Sequence, residues 1–177
     1  MNNTAFILAI DPGNVQSAYV MLDEDLKPLY FGKVKNERLK EILYESCYMV
    51  KGSDGQFVPS IPHVAIEMMA CFGMKVGADV LDTCVWIGRF DNLIEDNSLK
   101  KPTFIYRKDE KITLCGSMRA KDGNIRQALI DRFATRDFKN GKGTKKHPDW
   151  FYGFKADIWQ AYAVAVTYHD LYLGTDK

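Results

Sequence analysis

The chain has 177 residues, of which 46% are hydrophobic and 12% aromatic, a composition that buries a core and excludes a disordered or fibrous protein. Its formal net charge of +1 conceals a strong asymmetry: residues 1–99 carry 8 Lys and Arg against 14 Asp and Glu, residues 100–155 carry 15 against 6, and residues 156–177 carry 1 against 3. No apolar run approaches the ~20 residues that cross a bilayer, and no basic segment followed by an apolar one opens the chain. The expectation is one domain over residues 1–177, cytoplasmic and without a membrane partner.

Phe6–Ile10 is a continuous apolar run of strand length, closed at once by Asp11 and the turn formers Pro12 and Gly13. Ser17–Leu22 predicts a second strand and Leu29–Val34 a third, joined by the short "DEDLKP" turn, so the three form an antiparallel meander. Asn36 is a candidate N-cap for a helix over Glu37–Val50, and "KGSDGQFVPSIP" is a loop. His63–Ile66 is a fourth apolar strand, and it too ends on a carboxylate, Glu67. A helix over Ala78–Asp96 follows, with Val80, Cys84, Ile87 and Ile94 on one stripe. Thr103–Tyr106 is a fifth strand, Asp122 is placed to cap a helix over Asn124–Ala134, and "KNGKGTKKHPDW" (Lys139–Trp150) is a basic, Gly-rich loop. A last helix spans Ala156–Leu171, with Ala156, Ala161, Ala163 and Ala165 keeping one side small enough for close approach to a sheet. The four cysteines form no CxxC pair and read as buried free thiols.

Strands that alternate with helices are joined by right-handed crossovers and lie parallel. The fold class is therefore α/β, with a mixed five-stranded sheet of three antiparallel strands followed by parallel ones, flanked by helices. If the first and fourth strands are parallel neighbours, Asp11 and Glu67 emerge side by side, about 4.8 Å apart, at the carboxyl edge where open α/β sheets place ligands. Two such carboxylates repel, and a divalent cation with a preference for oxygen, Mg²⁺ or Mn²⁺, resolves the conflict. Asp157, at the start of the last helix, is the candidate third acid. Taken alone, Asp11 also reads as an ordinary turn residue, and Asp157 as an acid favoured by the helix dipole.

The blocks "AIDPG", "VAIE" and "KADIWQAYAVAVT", with "LCGSMRAKDGNIRQALIDRF" between the last two, resemble in order and spacing those of RuvC-type Holliday junction resolvases, members of the RNase H-like superfamily. The form of the fourth block looks most like the shorter, phage-type members, which would place the protein in a host cytoplasm. The resemblance implies a homodimer that binds branched DNA, above all four-way junctions, and cuts it by Mg²⁺-dependent hydrolysis, with Mn²⁺ as substitute. Carried over, Asp11, Glu67 and Asp157 are catalytic and hold two metal ions. An aromatic that stacks on an unpaired base corresponds most nearly to Phe72. Lys108, Lys111, Arg119, Lys121 and Arg126 surround the fourth block and are candidate phosphate contacts. One departure stands out. The family's second acid on the last helix falls on Gln160, a weaker ligand, with Asp149 and His147 the nearest candidates to substitute. A junction-binding protein without cleavage is the alternative that Gln160 motivates. The helix over Ala78–Asp96, where Val85 and Trp86 extend the apolar arc, is the candidate dimer contact.

Overall fold

The structure, a computed structural model, describes residues 5–52, 54–71, 73 and 75–174. Five strands form one sheet: β1 (Ile7–Asp11), β2 (Gln16–Leu22), β3 (Pro28–Lys35), β6 (His63–Met68) and β7 (Thr103–Tyr106), in the order β3-β2-β1-β6-β7. β1–β2 and β2–β3 are antiparallel, whereas β1–β6 and β6–β7 are parallel. This is the mixed sheet the sequence predicts. Between β3 and β6 lie α1 (Asn36–Ser46) and a small ribbon, β4 (Met49–Lys51) with β5 (Phe57–Pro59). The helix expected to reach Val50 thus stops at Ser46, and part of the expected loop is strand. The run Tyr48–Val50 is rich in β-formers, and pairing with Phe57–Pro59 outweighs weak helical continuation.

The remaining helices are α2 (Ala78–Ser98), α3 (Arg107–Cys115), α4 (Asp122–Phe133) and α5 (Ile158–Tyr172). Two apolar clusters fill the faces of the sheet. On one face Leu8, Ile10, Val64 and Ile66 meet Leu39 and Leu43 of α1 and Ile87, Phe90 and Ile94 of α2. On the other, Ile7, Ala9, Ala18, Ala65 and Ile105 meet α5. α5 is buried almost all round, and Ala161, Ala163 and Ala165 let it lie close on the sheet. Ala156, expected among these small residues, is exposed and precedes the helix at φ +38°. On α2 the buried stripe is Thr83, Ile87, Phe90, Ile94 and Ser98. Val80, on the same face but in the first turn, is only partly buried, and Cys84 is exposed. Only Cys47 is fully buried among the four free cysteines, so the expectation of buried thiols holds for one of them.

The turn after β1 is braced from below. The Gly13 N–H donates to Ser17 Oγ at 3.1 Å, Ser17 Oγ donates to Asn36 Oδ1 at 2.7 Å, and Asn36 Nδ2 donates to the Gly13 carbonyl at 2.8 Å. A Cβ at Gly13 would sit 2.3 Å from the Gln16 carbonyl oxygen, so only glycine fits. Asn36, expected as an N-cap, is the first helical residue instead, because its side chain is taken up by this ring. Ser17 and Asn36 are buried, so Asn36→Ala strands the Ser17 hydroxyl and the Gly13 carbonyl. The variant should lose about 1–3 kcal/mol for each group left unpaired. Equilibrium urea unfolding measures this, and an unchanged midpoint would mean that water replaces the amide.

Candidate functional site

Register and parity bring the acids together. β1 and β6 pair in parallel from Ile7↔His63 to Ile10↔Ile66, so Asp11 and Glu67 follow at the same step of adjacent strands. Alternation continues Ile7, Ala9 and Asp11 on the face of α5, and Ala65 and Glu67 on that same face. Asp157 arrives from above, at the N-cap of α5 rather than in its first turn as expected. It is positioned by an aromatic cluster in which Phe151 and Phe154 pack on Trp159 and Tyr162. The Tyr162 hydroxyl accepts from Trp150 Nε1 at 2.9 Å and donates to the Leu26 carbonyl at 3.0 Å, fixing the incoming loop to the sheet.

The electrostatics follow from this convergence. Burial first, then the charge of Glu67 and a direct side-chain contact with it, push Asp11 up to about 8. Burial likewise raises Glu67, while Arg107 opposes the shift. Two residues that the sequence reading passed over complete the cluster. Arg107 opens α3 directly after β7, and Glu110 lies one turn on, with its side chain fully buried. Burial, followed by Glu67, pushes Glu110 up to about 9. The Arg107 guanidinium pairs with Glu110 and with Asp122, and Gln160, with its amide oxygen turned inward, accepts from both terminal nitrogens of Arg107. Lys33 on β3 pairs with Asp157. The segment "RKDEKITLC" carries no hydrophobic period that marks it as a helix in the sequence. Its one usable signal is the Arg107–Glu110 spacing of a helical ion pair. Among the described residues, no three carboxylate, imidazole or thiol groups already close on one point.

The donor set nonetheless suits a hard divalent cation: carboxylate oxygens, crowded, desolvated and mutually repelling. The other sequence candidates are distributed as follows. Lys111, Arg119 and Lys121 line an open cleft of about 710 Å³ together with Arg107 and Asp122. Lys108 is exposed over the Tyr106 ring at 5.6 Å. The Arg126 guanidinium lies 5.3 Å from the centre of the Trp159 ring. Asp122, expected to cap α4, is its first residue; Lys121 takes the cap position, Asn124 accepts its N–H at 2.9 Å, and the Asp122 carboxylate goes to Arg107. Asp149 accepts from the N–H groups of Thr135, Arg136 and Trp150 and so staples its own loop, beside His147. Phe72 lies outside the described residues.

No protein-family model matches the chain, and no curated protein sequence matches it. Among solved structures it is similar to Thermus thermophilus RuvC in complex with a Holliday junction substrate, at a TM-score of 0.60 and 15% identity over 97% of each chain. It is also similar to a second Thermus thermophilus RuvC structure, at a TM-score of 0.58 and 15% identity over 93% of this chain and 95% of that one. The fold is the RuvC-like, RNase H-like fold.

Burial and the neighbouring carboxylates push Asp11 up to about 8, against an ordinary value of 3.8. Between those values the folded state binds more protons than the unfolded one, so stability falls as pH rises. The melting temperature should therefore decline from pH 5 to pH 8, and Asp11→Asn should remove much of that slope. Calorimetric melting at both pH values tests it; a wild-type profile that is flat or rises would contradict the crowding of the acids.

Proposed function

We propose that this chain is a single-domain, structure-selective endonuclease that resolves four-way DNA junctions by metal-dependent phosphodiester hydrolysis. The observation that carries the reading is the emergence of Asp11 and Glu67, in register, onto the face that receives Asp157, beside the basic cleft. The likeness in fold to a RuvC described as bound to a Holliday junction substrate supports it. Asp11, Glu67 and Asp157 would hold Mg²⁺ or Mn²⁺, two ions per site by the family resemblance. Such ions activate water for attack on the phosphodiester and stabilise the leaving oxygen. The chain's own residues do the rest. The rigid end of β1 and the braced turn fix Asp11, β6 fixes Glu67, and the aromatic cluster fixes Asp157. Lys111, Arg119 and Lys121 meet phosphates from the cleft wall and set the position of the duplex without reading its sequence.

Symmetric cutting of a junction needs two sites, and a two-fold pair of this chain supplies them. α2 is the candidate element for that contact. Leu81 and Val85 are 58% and 53% exposed on its outer face, and Tyr44 of α1 is 67% exposed across a groove of about 820 Å³ lined by Tyr44 and Val85. Trp86, by contrast, is half-buried against Phe90, so the outward residues are the better probes.

Asp11→Asn, Glu67→Gln and Asp157→Asn should each abolish cleavage of a synthetic four-way junction with Mg²⁺ or Mn²⁺ while leaving junction binding intact. Gel assays of binding and cleavage on one substrate decide it: near-normal turnover in a variant removes that residue from the metal set. A wild-type chain that binds without cutting would favour the junction-binding alternative.

Leu81→Glu with Val85→Glu should convert a dimer to a folded monomer that nicks junctions rather than resolving them, because a charge buried unpaired in the contact costs about 3–5 kcal/mol. Sedimentation at micromolar concentration measures this, and a wild-type monomer there would remove the preformed pair.

A further inference from the structure

Position 160 on α5 holds a neutral amide, and a buried carboxylate stands beside it on α3. Glu110 is fully buried, and its Oε1 has no hydrogen-bond partner. Its other carboxylate oxygen, Oε2, accepts from Arg107. Glu67 pairs with Ile105 of β7, and α3 begins two residues later, so Glu110 in its first turn stands at the same sheet edge. The decisive juxtaposition is through Arg107: one guanidinium reaches both Glu110 and the Gln160 amide, so the two side chains lie within one residue's span of each other, on α3 and α5. Packing does not account for a carboxylate here. The neighbouring core is apolar, with Ile105 buried and Leu114 packed against it, and an aliphatic side chain at 110 would carry no desolvation cost. A buried carboxylate with one oxygen unpartnered is costly unless a further group completes it.

Resting on the nuclease reading, we propose that Glu110 supplies the fourth carboxylate of the metal site, taking the part that Gln160 cannot, and that Arg107 is its counter-ion until the metal binds. The occupant is a hard divalent cation, and the ligand atom is the unpartnered Glu110 Oε1. Arg107 has a second partner ready: Asp122, on α4, is exposed and already accepts from its other terminal nitrogen. The guanidinium can therefore release Glu110 without losing all of its compensation.

The test is Mn²⁺ binding to the full chain without DNA, by isothermal titration calorimetry, for wild type, Asp11→Asn, Glu110→Gln, and Glu110→Gln combined with Gln160→Asp. Loss of groups that merely support metal ligands weakens binding by roughly 10–100-fold. Glu110→Gln should weaken Mn²⁺ at least about tenfold by the same measure, and the double variant should recover most of it by returning an acid to α5. A second variant, Arg107→Gln, removes the competing cation and should tighten Mn²⁺ binding. Wild-type affinity in Glu110→Gln, or a loss that an acid at 160 does not recover, would overturn the inference and leave Glu110 as a partner of Arg107 only. The nuclease reading fails separately: it falls if wild type cleaves no junction with Mn²⁺, or if Asp11→Asn binds Mn²⁺ and cleaves as wild type does.

Discussion

Like-charge repulsion at the carboxyl edge of β1 and β6 is the constraint to which the rest of the site answers. Adjacent strands lie about 4.8 Å apart, and Asp11 and Glu67 occupy the same step of a parallel pair, pointing to the same face. Both acids are partly buried, which thins the water that would screen them. The chain meets this with cations from two sides: Lys33 from β3, in the row that runs through Ala18 to Asp11, and Arg107 from the end of β7. Neither cation lies between Asp11 and Glu67 as a direct ion-pair partner, so the central pair relies on a retained proton or on an added metal.

Holding such a pair requires a scaffold that cannot relax away from it. The turn after Asp11 is closed by a ring of three hydrogen bonds through Ser17 and Asn36, on a glycine that tolerates no side chain. Asn14 extends the bracing to α2 by donating to Asp79 at 2.9 Å. On the other side, the alanines of α5 bring the helix near the sheet, and Tyr162, Phe151 and Phe154 lock the chain entering it. Acids held so rigidly cannot move apart to relieve their repulsion, so one of them must keep a proton or the pair must accept a cation.

The sheet was legible because its strands are short apolar runs with turn residues between them, and because strand alternation leaves few topologies open. Asp11, Glu67 and Asp157 were legible as acids ending or opening elements that are otherwise apolar. Arg107 and Glu110 were not. α3 is polar along most of its length, so no hydrophobic period marks it as a helix, and its one buried charge is invisible until a third dimension brings it over Glu67. Asn36 and Asp122 misled for a related reason. Both are good caps by residue type, yet long-range partners, Gly13 and Ser17 for one and Arg107 for the other, claim their side chains. Local propensity yields to a tertiary hydrogen bond whenever that bond satisfies a buried group.

The same electrostatics explain why a neutral residue stands at 160. Glu110 and position 160 share Arg107, and Asp11, Glu67 and Asp157 already crowd the space beneath. A carboxylate at both 110 and 160 would put six acids, Asp122 among them, around Arg107 and Lys33, and at least one more would have to stay protonated or unpaired out of water. An amide avoids that while keeping a hydrogen-bond acceptor for the guanidinium. On the proposed reading of Glu110, the neutral Gln160 answers to the acid on α3. The neutral side chain on α5 and the buried acid on α3 then form one arrangement, made across two helices that meet at a single arginine.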